Sequence, residues 1–234
     1  RFNVAVLTNL SRDHLDYHGS MEAYAAAKAD LFTWPGLEHA VLNLDDEFGQ
    51  ALVGKTGSAK VIGYGFERGE VVAESIRAGR DGLTLSLNTA WGRAKLESPL
   101  LGRFNAHNLL AALAALLASD VPLDRACDAL AGVKPPAGRM QTLGGGTHPL
   151  VVVDYAHTPD ALEKVLDTLR PLAGDGRVIC VFGCGGNRDK GKRPLMGRAA
   201  SQGADLVFVT SDNPRNEEPL AIIADILQGI ETDS

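Results

Sequence analysis

The chain has 234 residues, of which 45% are hydrophobic and 22% are charged. This composition is ordinary for a globular protein, and the length is enough for one large domain or two ordinary ones. The formal net charge of −6 argues against general affinity for nucleic acid. No apolar run approaches the length of a membrane span, so we expect neither a nucleic-acid nor a membrane partner.

The three cysteines, Cys127, Cys180 and Cys184, form no CxxC pair. Two of them lie in or beside a predicted strand, so we expect buried free thiols in a reducing cytoplasm. Because the chain starts at Arg1 rather than Met and stops just after a helical pattern, we expect a piece of a longer protein. Part of any active site would then lie outside it.

The first half of the chain alternates strand and helix patterns around a group of short strands. Ser20 is the predicted N-cap of an alanine-rich helix. Short alternating stretches between Lys60 and Leu101 predict an antiparallel subsheet. The other predicted elements are strands at 2–7 and 39–44, a short helix from Asp45, and helices at 105–119 and 121–131.

Residues Gly49 to Thr56 match the pattern of a phosphate-binding loop. A working phosphate loop directly follows a buried strand and opens a helix, so that backbone N–H groups converge on phosphate. Here residues 45–53 intervene, and their pattern is that of the helix itself. We therefore reject a phosphate-binding role and interpret Gly54 as the end of that helix.

Residues 134–138, which include two prolines, form the best linker, and Gly144–Thr147 predict a hairpin. Three strand–loop–helix units follow, so the fold class is α/β, with a mixed sheet in residues 1–136 and a largely parallel, Rossmann-like sheet in 137–234. The three apolar runs predict strands buried on both faces. Their polar ends should open onto one crevice. The runs begin at Val151, Val178 and Leu206.

The polar ends carry candidate binding residues. Gly183–Arg188 lacks the third glycine of a dinucleotide fingerprint, so a nicotinamide cofactor is not expected. Its glycines would let a ligand approach the backbone. The cations that would attract a carboxylate or phosphate are Arg188, Lys190, Lys192 and Arg193. A solvated basic helix start is the alternative. Asp212, Asn213, Pro214 and Arg215 form either a simple turn or a carboxylate site, with Arg215 as a planar fork.

In the first half of the chain, His14 and Lys28 are candidates whose sequence signal is weaker than that of the polar strand ends. Lys28 lies among four alanines, which leave room around its amine. A desolvated lysine has a lowered pKa and becomes nucleophilic, so it could take up carbon dioxide as a carbamate. The residues around Lys28 do not by themselves indicate a carbamate.

Five segments resemble motifs of the Mur ligases of peptidoglycan synthesis and follow one another in the order found in that family. The likeness covers the whole chain. The resemblance implies ATP-dependent formation of an amide bond through an acyl phosphate. The implied partners are UDP-N-acetylmuramoyl-L-alanyl-D-glutamate and meso-2,6-diaminopimelate, and the implied cofactors are ATP and Mg²⁺. The segments are 8–19, 102–108, 138–141, 154–159 and 212–215.

The resemblance also implies residue roles. His14 and a carbamylated Lys28 would hold magnesium and form the catalytic pair, because a carbamate supplies the oxygen ligands that this ion prefers. Diaminopimelate would be recognised by Arg188 and by the segment Asp212, Asn213, Pro214 and Arg215. The nucleotide would be bound by Asn105 and Asn108 at adenine, Arg139 at the phosphates, Asp154 at the ribose, and His157 nearby.

Three alternatives remain open at this stage: a lysine-adding Mur ligase, a folylpolyglutamate synthetase-like ligase, and a non-catalytic module that senses ATP. Lysine-adding members lack the arginine that matches Arg215, which favours diaminopimelate. Residues 1–136 would belong to the central ATP-binding domain and 137–234 to the C-terminal domain. The true phosphate loop and the uridine-nucleotide domain would lie outside the chain. We therefore expect a monomeric fragment that cannot turn over alone.

Overall fold

A computed structural model describes residues 2–79 and 81–230. Contacts between Cα atoms divide the chain into two compact units. The first comprises Arg1–Ser11 and Ser20–Lys134, and the second comprises Arg12–Gly19 and Pro135–Ser234. The break at Lys134 falls in the predicted linker, but the grouping of Arg12–Gly19 with the second unit was not predicted.

The first unit contains a mixed sheet in which the strands lie side by side in chain order. The first four strands are parallel to one another, and the fifth and sixth extend the sheet from the fourth through antiparallel pairings. The predicted mixed sheet is confirmed, although the antiparallel part begins at Val71 rather than at Lys60. The strands are β1 (Val4–Leu7), β2 (His39–Asn43), β3 (Lys60–Gly65), β4 (Val71–Gly79), β5 (Gly82–Thr89) and β6 (Gly92–Ser98).

Side-chain caps begin two helices of this unit. The Ser20 hydroxyl accepts a hydrogen bond from the Ala23 N–H, as predicted, and the Asp46 carboxylate accepts from the first turn of the next helix. The longest helix is apolar nearly all round and packs on the sheet, with Leu110 and Leu113 fully buried. The helices are α2 (Met21–Ala29), α3 (Glu47–Leu52), α4 (Arg103–Ala118) and α5 (Leu123–Ala131).

Helix α3 explains the phosphate-loop pattern. The helix occupies Glu47–Leu52, where a phosphate loop would need an open turn. A Cβ added to Gly49 would lie 1.9 Å from the Asn43 carbonyl oxygen, so this glycine allows α3 to approach β2. Gly54 has a φ of +80° just after the helix. The structure therefore confirms that the pattern is a helix and its end.

The second unit contains two separate two-stranded sheets within the described residues. One is an antiparallel hairpin, β7 (Gln141–Gly144) and β8 (Leu150–Val153). The other is a parallel pair, β9 (Ile179–Phe182) and β10 (Leu206–Val209). The helices are α1 (Leu15–His18), α6 (Pro159–Ala173), α7 (Lys192–Gly203) and α8 (Pro219–Leu227).

The expectation that these strands are buried on both faces is wrong for the described chain. Ile179, Val181 and Phe208 are each more than half exposed, and Val151 is half exposed. The reason is that α6, α7 and α8 pack with Cys180 into one core on a single face of β9 and β10. An apolar run predicts a strand, but it does not tell how many of its faces are covered. No helix in the described residues is long and apolar enough to cross a membrane.

Candidate active site

The loops that follow β9 and β10 interlock at the carboxyl ends of these strands. The Gly186 N–H donates to the Asn213 carbonyl over 2.8 Å, and the Asn216 N–H donates to Asn187 Oδ1 over 3.0 Å. The Arg215 guanidinium donates to the Gly186 carbonyl. We call segment 183–191 the glycine loop and segment 210–217 the arginine turn. These hydrogen bonds hold the two segments in a fixed position relative to each other.

The glycines allow the two segments to approach each other closely. A Cβ on Gly186 would lie 1.9 Å from the Pro214 carbonyl oxygen, and one on Gly183 would lie 2.4 Å from the Thr210 carbonyl oxygen. We expected these glycines to admit a ligand to the backbone. The structure instead shows the neighbouring turn in that space, which corrects the earlier interpretation.

The two candidate carboxylate-binding arginines lie on these segments. Arg215 has a φ of +50° and an exposed side chain, and Asp212 and Asn213 in the same turn are also exposed. Arg188 Nη1 lies 3.4 Å from the Asp16 carboxylate, and Arg12 Nε lies 3.0 Å from that of Asp189. The Arg188 guanidinium thus contacts the carboxylate of Asp16. A carboxylate is also the chemical group that we expect Arg188 to bind in a substrate.

The loop after β8 contacts the start of α7, although β8 belongs to the other sheet. The Lys192 ammonium donates to the His157 carbonyl over 2.8 Å, which connects this loop to the start of α7. Asp154 accepts from the backbone N–H groups of Met140 and Ala156, both over 2.8 Å. The Arg139 guanidinium lies 4.5 Å from the centre of the Tyr155 ring. Contacts thus connect the loops after the three strands, but the prediction of one largely parallel sheet is wrong for β8, which pairs antiparallel with β7 in a sheet of its own.

Asp13 lies between two imidazoles. Its carboxylate is 3.2 Å from His157 Nε2 and 3.5 Å from His14 Nε2, and it accepts from the His14 backbone N–H. Burial raises the pKa of Asp13, but the His14 N–H and the two imidazoles lower it more, so the pKa lies below its ordinary value. This arrangement favours an ionised acceptor that orients both rings.

The remaining candidates lie in the first unit. The Asn108 side-chain amide donates to Asn105 Oδ1 over 2.9 Å, and that of Asn105 donates to the Leu101 carbonyl. Asn108 is exposed near the start of α4, where an edge of its amide can reach a ligand. The Lys28 amine is half-buried and lies 5.1 Å from the centre of the Tyr24 ring.

Sequence reasoning missed a cluster beside the two asparagines. His107 Nε2 lies 2.9 Å from the Asp45 carboxylate, and its ring lies 3.8 Å from that of Phe66. The Arg103 guanidinium lies 4.8 Å from the centre of the same phenylalanine ring. The available signal was that Asp45 and Phe66 follow β2 and β3, where ligand-binding residues of α/β sheets concentrate.

The described residues contain no group of three or more His, Cys, Asp or Glu side chains arranged to hold a metal ion. His14 belongs to the second unit and Lys28 to the first. An imidazole and one lysine do not make the oxygen-rich set that magnesium requires. The described residues therefore do not form a magnesium site by themselves.

Comparison with known proteins gives two family matches, the Mur ligase middle domain at residues 1–116 and the Mur ligase glutamate ligase domain at residues 138–233. A UDP-N-acetylmuramoyl-L-alanyl-D-glutamate–2,6-diaminopimelate ligase of Pseudomonas aeruginosa is 57% identical over 97% of this chain and 47% of its own length. The ligase of the same name from Neisseria meningitidis serogroup B is 54% identical over 98% of this chain and 48% of its own length.

Solved structures are similar over almost the whole chain. One of a protein with the same ligase name is 44% identical, with a TM-score of 0.66, and covers 98% of this chain and 48% of its own. A Mycobacterium tuberculosis folylpolyglutamate synthase complexed with ADP and AMPPCP has a TM-score of 0.80 at 24% identity, over 97% of this chain and 51% of its own. The latter likeness shows the fold alone. The chain spans about half the length of the curated relatives that it matches.

Proposed function

Because this chain belongs to the Mur ligase family, we propose that it is part of an ATP-dependent ligase that adds meso-2,6-diaminopimelate to UDP-N-acetylmuramoyl-L-alanyl-D-glutamate. The contact between the glycine loop and the arginine turn is the observation that favours diaminopimelate as the added amino acid. Hydrogen bonds between them hold the segments that carry Arg188 and Arg215 in a fixed position relative to each other. A second carboxylate on the incoming amino acid matches such guanidinium groups, whereas the side-chain amine of lysine does not.

The proposed reaction has two steps. The terminal carboxylate of the D-glutamate branch attacks the γ-phosphorus of ATP, which forms an acyl phosphate and releases ADP. The amine of diaminopimelate then attacks the acyl carbon, and the tetrahedral intermediate expels phosphate to leave the amide. Catalysis of this kind depends on positioning and on neutralising charge. In this proposal, Arg188 and Arg215 hold the distal carboxylate of the amino acid so that its amine faces the acyl carbon.

The nucleotide roles are part of the proposal. Exposed Asn108, held by Asn105, would contact adenine, and Arg139 would contact the phosphates. Asp154 would accept from the ribose hydroxyls, with His157 beside it. For the cofactor Mg²⁺, this chain would contribute His14 and a carbamylated Lys28, and other ligands would come from outside it. We further propose that residues 1–136 and 137–234 are parts of the central and C-terminal domains of a monomeric cytoplasmic enzyme.

The test uses the full-length protein with ATP, Mg²⁺ and UDP-N-acetylmuramoyl-L-alanyl-D-glutamate. Diaminopimelate, lysine and glutamate are offered in turn, and phosphate release and the nucleotide product are measured. We expect release and a product larger by one diaminopimelate residue with the first amino acid only. Turnover with lysine alone would identify a lysine-adding ligase, and ATP binding without turnover would favour a sensing module.

A further inference from the structure

A buried arginine lies behind the two interlocked segments. The Arg193 side chain, in the first turn of α7, is 1% exposed. Its Nη1 donates to Glu217 over 3.0 Å and to Asp225 over 2.8 Å, and its Nη2 donates to the other Glu217 oxygen over 2.8 Å. The fork thereby connects α7 to the end of the arginine turn and to α8. Such paired hydrogen bonds fix direction as well as distance.

Glu217 extends this connection to the glycine loop. Its Oε1 also accepts from the Asn187 backbone N–H over 2.6 Å, and its Oε2 lies 3.2 Å from the Lys190 ammonium. Hydrogen bonds from Arg193, Asn187 and Lys190 lower the pKa of Glu217 to about 2, so the carboxylate is ionised at neutral pH. One carboxylate therefore holds both segments, two residues along the chain from Arg215.

Stability alone does not account well for this arrangement. The Arg193 side chain is 1% exposed, while those of Glu217 and Asp225 are 17% and 36% exposed, and the cost of removing the guanidinium charge from water offsets part of the attraction. The Arg193 Nε is buried and has no hydrogen-bond partner among the described residues, which adds to the cost. Apolar side chains would fill the same space without an unsatisfied donor. The register that the fork imposes on the two segments is the better explanation of its presence.

We propose that Arg193 and Glu217 are positioning residues for the amino-acid substrate, an inference that rests on the proposed function. Neither group touches the substrate. They hold the glycine loop and the arginine turn in one register, so that Arg188 and Arg215 present their guanidinium groups at a fixed spacing to the distal carboxylate. Loss of the pair weakens binding of the amino acid and leaves binding of ATP unchanged.

The experiment uses the full-length enzyme with Glu217→Gln, which keeps the shape of the side chain but removes its charge, and Arg193→Lys, which removes the fork. Lys164→Gln, which breaks an exposed ion pair with Asp160 on α6, is the matched control. KM is measured for diaminopimelate, ATP and the nucleotide dipeptide, with kcat and the melting temperature. We expect the KM for diaminopimelate to rise at least about tenfold in both variants, with the other KM values within about twofold and the control unchanged.

A double substitution tests whether Glu217 acts through Arg215. In an Arg215→Ala enzyme, Glu217→Gln should raise the KM for diaminopimelate by a clearly smaller factor than it does in the unaltered enzyme, because one of the two guanidinium groups that it positions is absent. Equal increases in all three KM values, or an unchanged KM for diaminopimelate in a folded Glu217→Gln enzyme, would overturn the inference. If the unaltered enzyme does not use diaminopimelate at all, the proposed function fails first. Should Arg193→Lys not fold, Glu217→Gln decides the matter.

Discussion

Arg215 is the residue on which the choice of substrate depends most directly. Its backbone adopts the left-handed conformation, with a φ of +50°, which is uncommon outside glycine. The bonds from Arg215 to Gly186 and from Asn216 to Asn187 hold the turn in that conformation. The structure therefore fixes the backbone of Arg215, and the residue stays exposed to solvent.

We predict that Arg215→Ala raises the KM for diaminopimelate by roughly ten- to a hundredfold, since a hydrogen bond to a charged group contributes about 1.5–3 kcal/mol. Steady-state kinetics of the full-length enzyme measure this effect. Arg198→Ala removes an exposed arginine from α7 in the same unit and should leave that KM unchanged. An unaltered KM in the Arg215→Ala enzyme would exclude Arg215 from substrate binding.

At the scale of elements, the glycine loop acts as a packing partner of the arginine turn. A Cβ at Gly186 would lie 1.9 Å from the Pro214 carbonyl oxygen, a contact that only movement of the backbone can relieve. We predict that Gly186→Ala separates the two segments and raises the KM for diaminopimelate at least about tenfold. The KM for ATP should change by less than about twofold, and both values come from the same kinetic assay.

The control for this substitution is Gly79→Ala, at the end of β4. A Cβ there meets no atom within 4 Å, and the residue has no positive φ, so alanine fits without strain. Normal kinetics in the Gly186→Ala enzyme would contradict the packing role. Such a result would return the glycine loop to the ligand-contact role that the sequence suggested.

The sequence predicts local elements well and long-range pairings poorly. Caps, periodicity and the turn at Gly54 are local properties, so α2, α3 and β9 appear close to where they were expected. Segment 12–19 contacts the second unit through ion pairs such as Arg12 with Asp189. These partners are 177 residues apart, and no local pattern encodes such a pairing. For the same reason, the pairing of Arg193 with Glu217 does not follow from the sequence, and the expectation that Arg193 attracts a ligand is wrong, since its side chain is buried against this carboxylate.

At the scale of the whole molecule, each hydrophobic core lies within one unit. Two buried clusters contain only residues of the first unit, among them Leu110 and Cys127. A third contains only residues of the second unit, among them Cys180, Cys184 and Met196. All three cysteines are free and buried, as the sequence predicted. Thiol labelling therefore reports on the two units separately.

We predict that the two units lose structure independently in urea. Met196→Ala removes a side chain that is 1% exposed, and such truncations cost about 2–5 kcal/mol. In the 234-residue chain, pulsed alkylation followed by mass spectrometry should show Cys180 becoming reactive at lower urea concentration, while the midpoint for Cys127 stays constant. Leu110→Ala should do the reverse. If either substitution shifted both cysteines equally, the chain would unfold as a single cooperative body, and separate cores would have no energetic meaning.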